Sequence, residues 1–251
     1  MRRQLFYILS LLIFVLLAAC GVEVDEEINP QIPQDSQMSM DQPEPQKEVT
    51  EVIEEIREDT KPDIDNLIPS GWSLFQIREG EPAKAEGDLN KDGISDIAVI
   101  IEKNTTTADE APPRSLMIAF GTENNGYSPS IIADQVLLTA DEGGVWGDPF
   151  ESLTIHRGSV LISEYGGSNW RWYNKYRFRY QDDDWYLIGA TFGEYHTLTN
   201  TLENADEQDY NLLTGDYIVR YTDENGKVHT EKGNRGKNEL VTLREFNMED
   251  M

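Results

Sequence analysis

The chain has 251 residues, 47 acidic and 21 basic side chains, and a formal net charge of −26. A field this negative excludes general electrostatic binding to nucleic acid or to an anionic lipid face. A single cysteine, Cys20, excludes an internal disulfide framework, and its position excludes a Cys-ligated zinc or a thiol nucleophile in the folded part.

Arg2 and Arg3 open the sequence, and residues 5–17 form an apolar run broken by Ser10. The run is shorter than the roughly 20 residues of a membrane span. It ends in LAAC, where small residues precede Cys20. Residues 1–19 therefore read as a signal peptide. The LAAC stretch resembles the lipobox of bacterial lipoproteins. That resemblance implies cleavage before Cys20, lipid on its sulfur and amine (palmitate-type acyl chains), and attachment to a membrane. Gly21 favours the outer membrane in a Gram-negative cell; in a Gram-positive cell the anchor is the cell membrane. Either way the domain is extracytoplasmic.

Residues 20–65 follow as a lipidated, acidic tether. From 21 to 65 there are 15 acids and 3 bases, with Pro and Gln abundant and aromatics absent. Such a segment buries too little apolar surface to offset its ordering entropy. Within it, EVIEEIRE (51–58) has the pattern of a short amphipathic turn.

Residues 66–251 hold 32 acids and 16 bases and read as one mostly β domain, an antiparallel sheet with a few short helices. Strands are expected at 71–77, 97–103 and 114–120. Hairpins are expected from 152–156 with 159–165, from 169–180 with 185–192 around QDDD, and from 216–222 with 227–232. Weak helical signals lie at 65–67 and 134–138.

The stretch GDLNKDGISD (87–96) places oxygen-bearing side chains at every second position, then Gly93, then Asp96. Calcium takes six to eight oxygens, and short carboxylates converge on one centre only where the backbone coils sharply. Asp88, Asn90, Asp92, the carbonyl of Ile94, and Asp96 (directly or through water) form the candidate set, hard ligands suited to calcium. The alternative is a polar turn that satisfies its own amides. The pattern resembles the calcium loop shared by EF-hands, dockerins and FG-GAP or VCBS-type β repeats. Val99 stands where an EF-hand has its bidentate Glu, and a strand follows, so the β-repeat version is the nearer one. The ion would be structural.

In NWRWYNKYRFRY (169–180), Trp170, Trp172, Tyr176, Phe178 and Tyr180 alternate with Arg171, Tyr173, Lys175, Arg177 and Arg179. The aromatic face is expected to pack inward. The basic face is expected to pair with acids such as Glu164 or Asp182–Asp184. The competing reading is a binding surface, with arginines for an anion or aromatics for a sugar. This segment, with YNLLTGDY (210–217) and KGNRGK (232–237), resembles a group of bacterial secreted proteins and lipoproteins, which implies a shared fold and supplies no activity.

His156, His196 and His229 lack metal-site spacing, and no nucleophile elbow or phosphate loop occurs. The leading expectation is a non-enzymatic, lipid-anchored domain that holds calcium and binds a protein or glycan of the envelope or surroundings. The alternatives are an envelope glycan hydrolase using carboxylates such as Asp148 and Glu151 in the Gly-rich loop 143–151, and a carbohydrate-binding module.

Overall fold

The computed structural model describes residues 63–104 and 111–248. These belong to the second of two compact units, Glu55–Met251. The signal peptide, Cys20 and the amphipathic turn at 51–58 lie outside the described residues, as does all but the end of the tether. Among the described residues no helix is long and apolar enough to cross a membrane.

The domain is mostly β, built from antiparallel sheets, with one α-helix among the described residues. That helix, α1 (Ile64–Leu67), starts at Asp63, whose side chain caps the amide of Ile64. Four short strands follow: β1 (Trp72–Leu74), β2 (Gln76–Arg78), β3 (Glu81–Pro82) and β4 (Lys84–Gly87). Next come β5 (Asp96–Lys103), β6 (Arg114–Gly121) and β7 (Tyr127–Asp134). A 3₁₀ turn (Gly144–Trp146) precedes β8 (Phe150–Ile155), β9 (Val160–Gly167), β10 (Trp170–Gln181) and β11 (Asp184–His196). After a second 3₁₀ turn (Leu202–Asn204), the chain forms β12 (Asp206–Asn211), β13 (Asp216–Thr222) and β14 (Val228–Asn234).

A five-stranded sheet has the order β1-β5-β6-β7, with β4 beside β1 on the same edge of β5; a seven-stranded sheet runs β14-β13-β12-β11-β10-β9-β8. The apolar runs of β5 and β6 are explained by burial on both faces. Ala98, Ile100, Leu116 and Ile118 enter the core between the sheets, against Ile162, Tyr176, Phe178, Trp185 and Leu187. Ile97, Val99, Ile101 and Met117 form a second cluster under α1, with Trp72 and Leu74. The C-terminal stretch closes the core: Phe246 meets Tyr176 and Phe178 edge-on at 5.1 and 5.3 Å.

The seven-stranded sheet is wider than this core. No residue of β12, β13 or β14 is buried, so this part of the sheet meets water on both faces. Aromatic rings shield the backbone there and nearby. Trp172, Tyr173 and Tyr217 stand directly opposite Gly166, Gly193 and Gly233 on the adjacent strands. At each glycine an added Cβ would fall within 2.0–2.5 Å of the ring, so the ring occupies the space a side chain would take.

Two local expectations are corrected. The segment 71–77 is not one strand: it breaks at Phe75, whose ring enters the core while its amide donates to the Ile100 carbonyl. Residues 134–138 form no helix, because Gln135 takes a positive φ of 61° that ends the strand in a bend.

Candidate functional site

The aspartate loop bridges β4 and β5. Its backbone coils through two left-handed positions, Lys91 at φ 68° and Gly93 at φ 86°. The coil turns the side chains back onto the loop. Asp88 accepts the amides of Lys91 and Gly93 at 2.7 and 3.2 Å. Asn90 Oδ1 accepts the Asp92 amide at 3.0 Å, and its Nδ2 donates to Asp92 Oδ2 at 2.8 Å. Asp92 Oδ1 accepts the Ile94 amide at 2.7 Å. Asp88 and Asp92 remain exposed, Asn90 and Ile94 half-buried.

Asp96 behaves differently. It is fully buried. Its Oδ2 accepts Leu89 and Asn90 amides at 2.7 and 3.2 Å, and its Oδ1 accepts the Gly121 amide at 2.8 Å. Burial raises its carboxyl above the ordinary range, against the opposing pull of these amides. Gly121 lacks a side chain because the Ser95 carbonyl would lie 2.3 Å from its Cβ. On its other side the loop abuts the β8–β9 turn, where the Asp88 carbonyl would lie 3.5 Å from a Cβ on Gly158.

This donor set can be tested against a hard cation. Among the described residues no three His, Cys, Asp or Glu side chains converge as a metal site. The loop would have to supply Asn90 Oδ1 and the Ile94 carbonyl besides its carboxylates. An oxygen that accepts one amide keeps a free lone pair; Asp88, Asn90 and Asp92 hold such oxygens while they satisfy the loop's own amides, as a polar turn does. Asp96, with both oxygens committed to three amides, fits better as the clasp that shapes the loop.

The basic and aromatic strand, β10, alternates as its sequence implies, but only part of its aromatic face enters the core. Tyr176 and Phe178 are buried, Tyr180 packs against them, Trp172 is half-buried, and Trp170 is 60% exposed. The core cluster stops short of the strand's first residues. The expected pairing of the basic face is also absent. Among the described residues, Arg171, Lys175, Arg177 and Arg179 have no carboxylate within ion-pair distance. Asp184 lies near Arg244 instead, and Glu164 is buried on the opposite face, accepting the Leu138 amide. The basic side chains take neutral partners: Arg171 the Gly167 carbonyl, Arg177 the Ser159 hydroxyl, Arg179 the Gln181 amide oxygen. Lys175 lies over the Tyr173 ring. Like charges about 7 Å apart on one strand face repel by roughly 0.6 kcal/mol per neighbouring pair even in water. The column is therefore a cost to the fold; the acid in its groove, Asp209, accepts the Thr191 hydroxyl at 2.7 Å.

At the start of β10 the Gly-rich loop folds over the sheet end. The Gly167 amide donates to the Gly143 carbonyl, and the Tyr165 amide to Pro149. This places Trp146, 54% exposed, edge-on to Tyr165 at 4.8 Å, with the Arg171 guanidinium 4.7 Å over its indole. The Tyr165 and Tyr195 hydroxyls share a 2.7 Å hydrogen bond, and Trp170 meets His196 edge-on at 5.0 Å. The Trp146 contribution was hidden in the sequence, because nothing in GGVWGDPF says which strand its indole will reach.

Asp148, one of the acids suggested for glycosidic chemistry, is taken by Arg114. The buried guanidinium grips it at 2.7 and 2.6 Å, reaches Glu102 at 2.9 Å, and stacks on Phe75 at 3.9 Å. Against partial desolvation, Arg114 holds Asp148 below the ordinary carboxylate range. A carboxylate locked in its charged form is a poor general acid. Glu164 is the opposite case: burial lifts its carboxyl to about 7, and its Oε2 has no hydrogen-bond partner among the described residues. No family model, curated protein or solved structure matches the chain.

Proposed function

We propose that the chain is a lipid-anchored, extracytoplasmic binding domain whose aspartate loop takes one structural calcium ion. The observation that carries the calcium reading is the inward fold of Asp88, Asn90 and Asp92 above a loop already shaped by Asp96. Asp88, Asn90, Asp92 and the Ile94 carbonyl would hold the ion. It would supply a cross-link where the loop meets the β8–β9 turn, in a fold whose only cysteine is Cys20. Missing the bidentate ligand, the site belongs with the weak affinities of extracellular modules, about 10⁻⁴–10⁻³ M.

Calorimetry of the full chain in EGTA and then in excess calcium tests this. The expected result is a higher melting temperature with calcium, abolished in Asp88→Ala. An identical transition in both conditions leaves a self-satisfied polar turn. The anchor is tested separately: Cys20→Ser should release the protein from the membrane fraction.

A second reading, a carbohydrate-binding module, is favoured by one observation. The indoles of Trp146 and Trp170 stand 54% and 60% exposed at the same end of the sheet. No catalytic assignment is proposed.

A further inference from the structure

We infer that the outer face of β10, from Arg171 to Arg179, binds a linear glycan that carries carboxylates. The inference rests on the binding-domain reading above and names the partner's chemistry.

The first support is charge. Residues 66–251 hold twice as many acids as bases, 32 against 16. Any surface cation should find a carboxylate easily. Yet among the described residues Arg171, Lys175, Arg177 and Arg179 stand together on one strand face with no carboxylate within 4.0 Å. At a Debye length of about 8 Å in physiological salt, distant carboxylates are screened, and the column of four bases outweighs the groove's Asp209 in the local potential.

The second support is shape. The strands on either side present small or uncharged residues to the same face. Ser163 and Leu161 of β9 pair with Lys175 and Arg177, and Thr191 and Gly189 of β11 pair with the same two residues. Lys175, Arg177, Gly189, Thr191, Asp209 and Asn211 line a groove of about 400 Å³. From Arg171 to Arg179 the column extends about 27 Å, long enough for several sugar residues. The ligand is therefore an extended chain.

The third support separates a glycan from a phosphate polymer. Arg171 ends the column between Trp146 and the Tyr165–Tyr195 pair. The exposed Trp146 indole offers an apolar face to the C–H face of a sugar ring, and phenol hydroxyls serve its hydroxyl groups. A phosphate chain has no use for them.

Isothermal titration of the full chain with polygalacturonate, inorganic polyphosphate and dextran tests the inference. EGTA is present throughout, so that calcium cannot bridge the polymer. Polygalacturonate should bind with an affinity that falls as salt rises, and dextran should not. The double variant Lys175→Gln/Arg177→Gln should bind about tenfold more weakly or worse. Trp146→Ala should weaken binding several-fold, with both variants melting as the wild type does. Equal binding of polyphosphate, binding unchanged in the double variant, or no binding by a chain with an intact melting transition overturns the inference. A calcium-dependent melting shift without polygalacturonate binding sinks this inference alone. Binding without a calcium shift removes the calcium reading and leaves this one.

Discussion

The ring of Tyr173 lies across the backbone of Gly193, its directly paired residue on β11, and its hydroxyl reaches Glu207 on the strand beyond. One side chain thus spans three strands. Burial and the neighbouring Glu207 carboxylate hold the phenol in its neutral, hydrogen-donating form.

Gly193→Ala places a methyl group inside the ring's volume and forces Tyr173 to lift. A loss of about 1–3 kcal/mol is expected, as for other overpacked sites. In a denaturant series the double variant Gly193→Ala/Tyr173→Ala should lose less than the sum of the two single changes. Full additivity would show that the ring and the glycine do not depend on each other.

Glu164 predicts a pH dependence of defined sign. Burial raises its carboxyl from 4.5 to about 7, aided by Glu142 and Asp148 and opposed by the Leu138 amide and Arg114. Tyr176 faces it from β10 and gains a raised phenol pKa, chiefly from burial. Below about pH 4.5 the folded and unfolded states both hold the proton. Between that point and pH 7 the unfolded chain releases it while the folded chain keeps it, so stability falls as pH rises. The loss is of order 3 kcal/mol and is complete above the folded-state value. Glu164→Gln, which keeps an acceptor for the Leu138 amide, should flatten this slope in melts from pH 4.5 to 8. An unchanged slope would assign it elsewhere.

Arg114 gathers Asp148, Glu102 and the Phe75 ring around one buried cation. Arg114→Met leaves two carboxylates without their partner and should cost about 2–4 kcal/mol, less than a fully buried break because both acids keep some solvent. Arg114→Lys should rescue little, since an ammonium cannot make the bidentate grip. Chemical denaturation of both variants checks the pair.

The three outermost strands of the larger sheet carry no buried side chain. In native-state hydrogen exchange, amides of β12–β14 should open at lower free energy than those of β5 and β6, whose side chains are buried on both faces. Equal protection across the two groups would mean that the sheet opens as one unit.

The same contrast explains what could be read from the residues alone. IAVII and SLMIA announce strands because they are covered on both sides. QDDD announces a hairpin, with Asp182 and Asp183 at φ 50° and 63° as a tight turn requires. DEQDYN, which forms β12, carries no alternation because neither face faces a core. β7 was missed since Pro129 sits within it, which an edge strand tolerates. In the candidate site, the aspartate loop was visible from its spacing. The separate duty of Asp96 was not, because its partner Gly121 lies 25 residues further on.

That long-range tie makes the loop a dependent structure. A synthetic fragment ending before β6 would retain every oxygen of the motif yet lack the Gly121 amide and the pairing of β5 with β6 that brings it near. Ion affinity measured on such a peptide would describe the peptide. In the native fold, the third amide that Asp96 accepts reaches it only where the two central strands pair.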